Sequence, residues 1–387
     1  QGFDMRWSPS VRIAVLLATS ALPHQVSATE FVISGPRAMG MGGAGVAVTT
    51  NALATYWNPA GLAMTQTVDI RAQGGGLAID RLGLGEALHD LENLDTTNTS
   101  DPNLPTKALD IADRINRPGT AVSVNGSAGL YVKGHLGEHA FGFNVSDVAT
   151  GGGFVSTPVQ VSQPGGPGTP ISVVPGQMTL RGLEARQLAF SYAYAFSDKT
   201  FAIGITAKVI QGASYNGSTA LEAGSGVSIT ERFGKPTIST TYGIDIGAIY
   251  RPSSLIRFGI VAKDINTPTF DAAGGGELKL DPQVRAGVAI NPYSSLTLTA
   301  DVDVISNKTF VPGVKSQLLS LGLEQTILSE FLSFRVGTFK NMQDASTPFV
   351  PTAGLGMRWF NFRADAGGGY DFREKGALVS ASISFTF

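Results

Sequence analysis

Three short patterns in this sequence have spacings that could do chemistry. Gly40-Met41-Gly42-Gly43-Ala44-Gly45 has the G-x-G-x-x-G spacing that cradles a dinucleotide pyrophosphate. His135-Leu136-Gly137-Glu138-His139 has the H-x-x-E-H spacing of a zinc peptidase. Asp301 and Asp303 lie two apart, a pair that could divide general acid and base work. Each pattern needs an element to position it. The dinucleotide loop needs a strand before it, a helix after it in a βαβ unit, and an acid roughly 20 residues on. Here there is little room for the strand, the βαβ continuation is missing, and the first later acid, Asp69, opens an alternating stretch. The zinc pattern needs both histidines on one helical face, yet Gly137 falls in a tight link between two alternating stretches. Asp301 and Asp303 share one face of an alternating stretch, where ion pairing is the simpler use. There is no G-x-S-x-G with supporting partners. The chain reads as a non-enzyme, with no catalytic residue, metal or cofactor expected.

Composition narrows the class. Charged residues are 15% of the 387, against roughly 25% in soluble globular chains, and glycine is high at 48 residues. A net charge of −2 gives no basic field for nucleic acid. Without cysteine there are no disulfides and no thiolate metal sites. Met5, Arg6 and Arg12 precede the apolar run Ile13–Leu22, and Val26-Ser27-Ala28 places small residues before Thr29. That order predicts a secretory signal peptide cleaved after Ala28, with residues 1–4 upstream of the true start. No later apolar run is long enough for a spanning helix, so a membrane protein built from the remainder would have to be a closed β-barrel.

Alternation with period two dominates the rest. In ALVSASISFTF, Val379, Ile383 and Phe385 share one face, while Ser380, Ser382 and Ser384 share the other. Such stretches predict fourteen strands: 66–79, 119–134, 138–151, 182–196, 200–214, 238–251, 255–265, 281–291, 295–305, 315–324, 331–341, 350–358, 360–370 and 376–387. The even number suits a single-chain bacterial outer-membrane barrel. Connections after even-numbered strands are short, and those after odd-numbered strands are mostly long, as periplasmic turns and outer loops alternate in such barrels. Residues 105–116 carry helical spacing and predict a short helix in the first long loop. Residues 151–182, rich in Gly and Pro, read as an irregular loop.

The charges fall on one face of each strand. Lys208, Asp245, Arg257, Lys263, Arg285, Asp301, Asp303, Glu324, Arg335, Arg358, Arg363 and Asp365 predict a paired network inside the lumen. The opposite faces carry Phe190, Tyr192, Phe258, Phe334 and Trp359, as a lipid-facing surface would.

The glycine-rich segment containing Ala38-Met39-Gly40-Met41-Gly42-Gly43-Ala44 and then Tyr56-Trp57-Asn58-Pro59-Ala60-Gly61-Leu62 resembles the N-terminal plug of the FadL/TodX family of outer-membrane transporters. The Asn-Pro-Ala element is the most specific part. The stretches Lys263–Phe270, Pro282–Gly287, Asp301–Asp303 and Arg335–Gly337 with Lys340-Asn341 resemble the TraF-type branch, whose members are commonly labelled conjugal transfer proteins. The resemblance implies an all-β fold: a 14-stranded antiparallel transmembrane barrel in the bacterial outer membrane, 66–387, with a plug over 29–65 after the signal peptide and upstream residues, 1–28. It implies passive, plug-gated transport of hydrophobic small molecules of the fatty acid or hydrocarbon type, with outer-membrane lipid around the barrel. Met39, Met41, Tyr56, Trp57, Asn58, Pro59 and Ala60 would line or fill the passage. The branch label leaves a second implication: an assembly protein of conjugal transfer or secretion that binds other envelope proteins.

Overall fold

The structure is a computed structural model that describes residues 26–27, 30–162, 170–196, 198–226, 234–344 and 348–387. The predicted cleavage signal lies almost wholly outside the described residues. Fourteen strands close into one antiparallel barrel, each paired with the next and the last with the first. They are β1 Asp69–Arg81, β2 Ala121–Leu136, β3 His139–Thr157, β4 Gly176–Phe196, β5 Phe201–Leu221, β6 Thr237–Tyr250, β7 Ile256–Lys263, β8 Gln283–Tyr293, β9 Leu296–Asp303, β10 Leu318–Ile327, β11 Leu332–Asn341, β12 Val350–Trp359, β13 Phe362–Asp371 and β14 Gly376–Thr386. Among the described residues no helix is long and apolar enough to cross a membrane.

The period-two pattern fixes which side chains face in. Along β14, Leu378, Ser380, Ser382 and Ser384 are buried, while Val379, Ile383 and Phe385 are exposed. The aromatics Phe190, Phe258, Phe334 and Trp359 stand exposed on the outside. Large apolar side chains therefore face outward and small or polar ones inward, the reverse of a soluble barrel.

Two expectations need correction. The stretch 151–182 is not one irregular loop. Gly151–Thr157 continues β3, and Gly176–Gly182 begins β4 in unbroken register with it from Gly153↔Leu180 downward. Glycines misled the reading because they weaken strand propensity, yet here Gly152 and Gly153 let Val311 and Met178 pack directly on the sheet. As a result β4 and β5 run 21 residues each, about 70 Å at roughly 3.3 Å per residue. The barrel wall is tall on this side and low at β7 and β9, which have 8 residues each.

The first long loop also holds two helices rather than one. α3 in this loop, counted after two short helices described below, spans Leu84–Glu92, and α4 spans Leu104–Asn116. Leu84, Ala87, Leu88 and Leu91 recur at helical spacing and bury against Ala108, Ile111 and Ile115 of α4 and Met178 and Leu180 of β4. Asp90 pairs with Arg114 across the two helices. The tall wall and the helical pair thus share one apolar core at the long-loop end.

Residues 30–64 lie inside the ring of strands. They contain α1 Pro36–Gly40, α2 Ala54–Trp57 and a 3₁₀ turn, Pro59–Met64. Four glycine pairs, facing each other in register on neighbouring strands, let this segment reach the wall: Gly204↔Gly247, Gly259↔Gly287, Gly322↔Gly337 and Gly354↔Gly367. A Cβ on Gly337 would lie 2.3 Å from Gly42 N, one on Gly322 2.4 Å from Met41 Cβ, and one on Gly367 2.4 Å from Pro36 O. At Gly204 it would lie 2.5 Å from Ala60 N. Backbone packed on backbone cannot yield as a side chain would.

Gly337→Ala is therefore expected to lower the thermal unfolding midpoint by several degrees, since overpacking costs about 1–3 kcal/mol. Gly134→Ala, at a site with nothing within 4 Å of the new methyl, serves as the control. Circular dichroism melts of the two purified variants would decide it, and equal midpoints would remove the glycine argument.

Candidate functional site

The inner segment is held in part by its backbone, and five charged side chains of the wall do that holding. Asp301 Oδ2 accepts from Gly45 N at 2.7 Å and Val46 N at 2.8 Å. Arg285 pairs with Asp303 at 2.6 Å and donates to Gly43 O at 3.4 Å. Arg257 donates to Ala47 O at 3.2 Å. Lys133 Nζ donates to Thr50 O and Thr65 O, both at 2.8 Å. Asp69 Oδ2 accepts from Ala52 N at 2.9 Å. A chain packed inside a barrel must find a partner for every buried peptide group, and these side chains supply those its own turns leave open.

A second group forms one continuous ion-pair chain. Arg37, the only charge in 35–63, donates to Glu324 at 2.6 Å and 3.0 Å and to Val48 O at 2.9 Å. Glu324 also takes Arg335 at 2.6 Å, Arg335 reaches Asp365 at 2.8 Å, and Asp365 takes Arg363 at 2.9 Å. Arg71 lies between Asp365 and Asp69, at 3.7 Å and 3.4 Å. Burial works against the Arg37 charge, and Glu324 outweighs it, holding the guanidinium above its ordinary value. On the far side of the lumen Lys208 sits 2.7 Å from both Asp245 and Asp264. Lys263 stands 3.4 Å from the centre of the Tyr56 ring and 4.7 Å from that of Phe31, and Arg285 lies 4.0 Å from the centre of the same Phe31 ring.

Of the twelve charges read from the sequence, eleven belong to these groups. Arg358 stands apart at the short-turn rim, where it pairs with Glu330 at 2.8 Å. The reading missed Arg37, Asp69, Arg71, Lys133 and Asp264. Asp69 and Arg71 were visible as alternates of Ile70 and Ala72. A stronger signal also went unused. Asp245-Ile246-Gly247, Arg257-Phe258-Gly259, Arg285-Ala286-Gly287, Gly322-Leu323-Glu324, Arg335-Val336-Gly337 and Asp365-Ala366-Gly367 each put a charge and a glycine two apart on one strand face. Arg257 and Arg285 reach the inner backbone, Glu324 reaches the Arg37 side chain, and the glycines make room for the segment.

Asn58 sits at the centre of the other contact. Its Nδ2 lies 3.2 Å from Val46 O, 3.1 Å from Ala248 O and 3.3 Å from Ile260 O, and its Oδ1 accepts from Ala60 N at 3.2 Å. Ala248 and Ile260 are register partners on β6 and β7, so one amide joins the inner turn to two strands. Pro59 and Ala60 press on Gly204. Tyr56 Oη donates to Val32 O at 2.7 Å, and Trp57 Nε1 to Ser34 O at 2.8 Å.

Two chambers lie on either side of this segment. The upper one, on the long-loop side, has about 110 Å³ and is lined by Phe31, Ile33, Met39, Leu77, Phe339 and Leu378 among others. The lower one, on the short-turn side, has about 370 Å³ and is lined by Arg37, Arg71, Glu324, Glu330, Arg358 and Arg363 with several threonines. The partition between them is thin: Ile33 and Met39 face up, while their neighbours Ser34 and Ala38 face down. Of the residues read as passage or plug, Met39 lines the upper chamber and Trp57 the lower. Met41 is fully buried against Gly322 and Gly337.

The chemical motifs resolve into packing. Gly40–Gly45 begins at the last residue of a five-residue helix and packs partly on wall glycines. His135 and His139 belong to two strands of a hairpin around Gly137, φ +58°, and His139 Nδ1 is 2.8 Å from Tyr192 Oη. Among the described residues no cluster of three or more His, Asp or Glu is arranged to hold a metal ion. Asp301 and Asp303 hold different partners, as given above.

No curated protein sequence matches this chain significantly. Among solved structures, the toluene transporter TbuX of Ralstonia pickettii is similar at TM-score 0.53 and 15% identity, over 91% of this chain and 97% of its own. The monoaromatic hydrocarbon channel CymD gives 0.54 at 15% identity, over 93% and 98%. A FadL homologue of Pseudomonas aeruginosa gives 0.50 at 12%, also over 93% and 98%. At these identities the likeness is one of fold, and the fold is that of the FadL/TodX barrels. A sequence-family model described as "F plasmid transfer operon, TraF, protein" matches residues 55–303, from α2 to the end of β9. With well over half of its length matched, the chain belongs to this TraF family, built on a FadL-like barrel.

Proposed function

We propose that the chain is an outer-membrane barrel, 66–387, whose lumen is plugged by 29–65, and that it passes small hydrophobic molecules by rearrangement of that plug. The observation that carries the reading is the apolar chamber on the long-loop side, closed from a polar chamber only by α1 and the residues just before it. The outer surface supports the membrane placement. On β4 the outward residues are apolar from Phe196 to Leu188, and the first outward charge is Arg186, paired with Asp147 and Glu184. About nine residues of tilted strand give an apolar band of roughly 25 Å, the height of an outer-membrane barrel's lipid face. Trp359 and Phe360 mark the short-turn rim, where aromatic residues meet the interface. The structural relatives are named for hydrocarbon transport, which suits the apolar upper chamber.

The TraF label supports a second reading, a partner of conjugal-transfer or secretion proteins in the envelope. Uptake separates the two. Cells carrying the protein are expected to accumulate labelled toluene or a short alkanoate several-fold faster than cells lacking it, and deletion of residues 35–63 is expected to change that rate. If carrying and lacking cells take up label equally, transport is removed and assembly gains.

The plug makes its own prediction. Wild-type protein in a planar bilayer is expected to show almost no ohmic current, because the inner segment fills the lumen. Arg37→Ala frees the segment from Glu324, and Asp301→Ala strands two buried N–H groups, each worth about 1–3 kcal/mol. Either variant is expected to show frequent channel openings. A wild type that conducts steadily, or variants as silent as wild type, would argue against a mobile plug.

A further inference from the structure

The outer face of the barrel carries an apolar groove of about 570 Å³. Its course follows the strand register. Tyr192, Ile205, Ile246, Ala262 and Val284 are successive partners from β4 to β8, so they form one straight row across five strands. Ile203, Ala248 and Ile260 form the next row toward the short turns. Gly204 and Gly247 lie between the rows, and Ala248 and Ala262 are the small members of each, so the floor is largely backbone. The exposed isoleucines make the banks. One row further toward the short turns, Phe196, Phe201, Tyr250 and Phe258 form an exposed aromatic band, as at a membrane interface.

The dimensions select the occupant. The two rows are two residues apart, about 7 Å, which admits one alkyl chain but not a helix of roughly 10 Å. Four inter-strand spacings give a length of roughly 19 Å. Crossing strands tilted by about 40°, a groove of that length rises roughly 12 Å, close to the ~15 Å depth of one leaflet. It rises from Tyr192, four residues from the short-turn end of β4, to Val284, the second residue of β8 at the long-loop end. The volume is several times the roughly 150 Å³ that holds one benzene, as a long chain requires. The lower end is polar, with Tyr192 Oη 2.8 Å from His139 Nδ1. The short turns beneath carry both signs, Glu138, Asp198, Lys199 and Arg251, which suits a zwitterionic head group better than an anionic one.

The lumen side of the same strip holds the Asn58 turn. Asn58 Nδ2 donates to Ala248 O and Ile260 O, whose side chains line the groove. Pro59 and Ala60 lie against Gly204, and Asn58 against Gly247. Only backbone separates the inner turn from the groove.

We propose that one phospholipid of the leaflet on the short-turn side lays an acyl chain in this groove, with its head group at His139 and Tyr192, and so braces the wall that carries the Asn58 turn. This rests on reading the outer surface as lipid-facing.

The test titrates the purified, delipidated full chain in detergent with dioleoyl phosphatidylethanolamine, followed by native mass spectrometry and thermal melts. Wild type is expected to retain one lipid at collision energies that strip the rest, and its unfolding midpoint is expected to rise by several degrees and saturate. Dihexanoyl phosphatidylethanolamine, with the same head group and short chains, is expected to do neither. The double variant Ala248→Phe, Ala262→Phe fills the groove and is expected to weaken retention by roughly tenfold or more. Ala366→Phe, exposed on the outer face of β13, is expected to bind as wild type does. Unsaturable adducts in wild type, equal retention of the short-chain lipid, or a double variant that binds as wild type does would overturn the proposal. So would a dimer that occupies the groove and is lost in the double variant. If the double variant fails to fold, the chain-length comparison in wild type still decides. A chain that stays folded and soluble without detergent would overturn the lipid-facing reading itself.

Discussion

A polypeptide laid against the wall of a barrel has little water to satisfy its peptide groups and little width to occupy. Both constraints are met at the same places. Gly322 and Gly337 remove the wall's side chains where Met41 and Gly42 pass, and Gly354 and Gly367 do so where Pro36 to Gly40 lie. Two residues along the same faces, Glu324, Arg335 and Asp365 supply charged groups to the space beside them. Remove the glycines and the segment cannot approach. Remove Asp301 and Asp69 and the amides of Gly45, Val46 and Ala52 lose their partners. The glycine-rich composition, which looks like flexibility in the sequence, is here a requirement of close packing.

The lumen charges are better understood as positioning devices than as sources of stability. Desolvating an arginine and a carboxylate costs several kcal/mol per ion, and their attraction does little more than offset that cost. Their use lies in direction. Asp301 can accept from Gly45 and Val46 only with the segment in one register, and Asn58 can meet Ala248 and Ile260 only where Gly247 lacks a Cβ. A slipped segment would leave several charges and amides buried without partners at once, so the arrangement discriminates steeply between one placement and its neighbours.

Much of the wall was legible because alternation is a strong signal when outward-facing and lumen-facing residues differ so sharply. The last strand, Gly376–Thr386, and the aromatics Phe190 and Phe334 show it plainly. The ends of β3, β4 and β5 were lost because that wall continues past the apolar band, where both faces are polar or packed and the alternation fades. α3 was lost for a different reason. Leu84, Ala87, Leu88 and Leu91 form a proper helical stripe, but the stripe is short and its partner, the apolar row of Met178 and Leu180, sits in the stretch taken for a loop. Inside the lumen, the charges could be read one by one, while their partners could not. Those partners are side chains on other strands or backbone atoms of a distant segment, and local sequence records neither pairing. The charge-x-glycine doublets record the encounter indirectly.

The anchors are spread unevenly, and this bears on where a path could open. From Gly43 to Ala60 the segment is tied to β7, β8 and β9 through Arg257, Arg285 and Asp301, and to β6 through Asn58. Ahead of it, α1 is tied mainly by Arg37 to Glu324 and by Thr352 to Gly40 O and Gly42 N. The two chambers face each other across this same stretch, Ile33–Ser34 and Ala38–Met39. Withdrawing the whole segment would break every anchor together. Shifting α1 would break two, and Glu324 would keep Arg335 as a partner when Arg37 left. A passage between the chambers is therefore cheapest through α1, with the Asn58 turn and the Asp301 contact remaining as the fixed hinge beyond it.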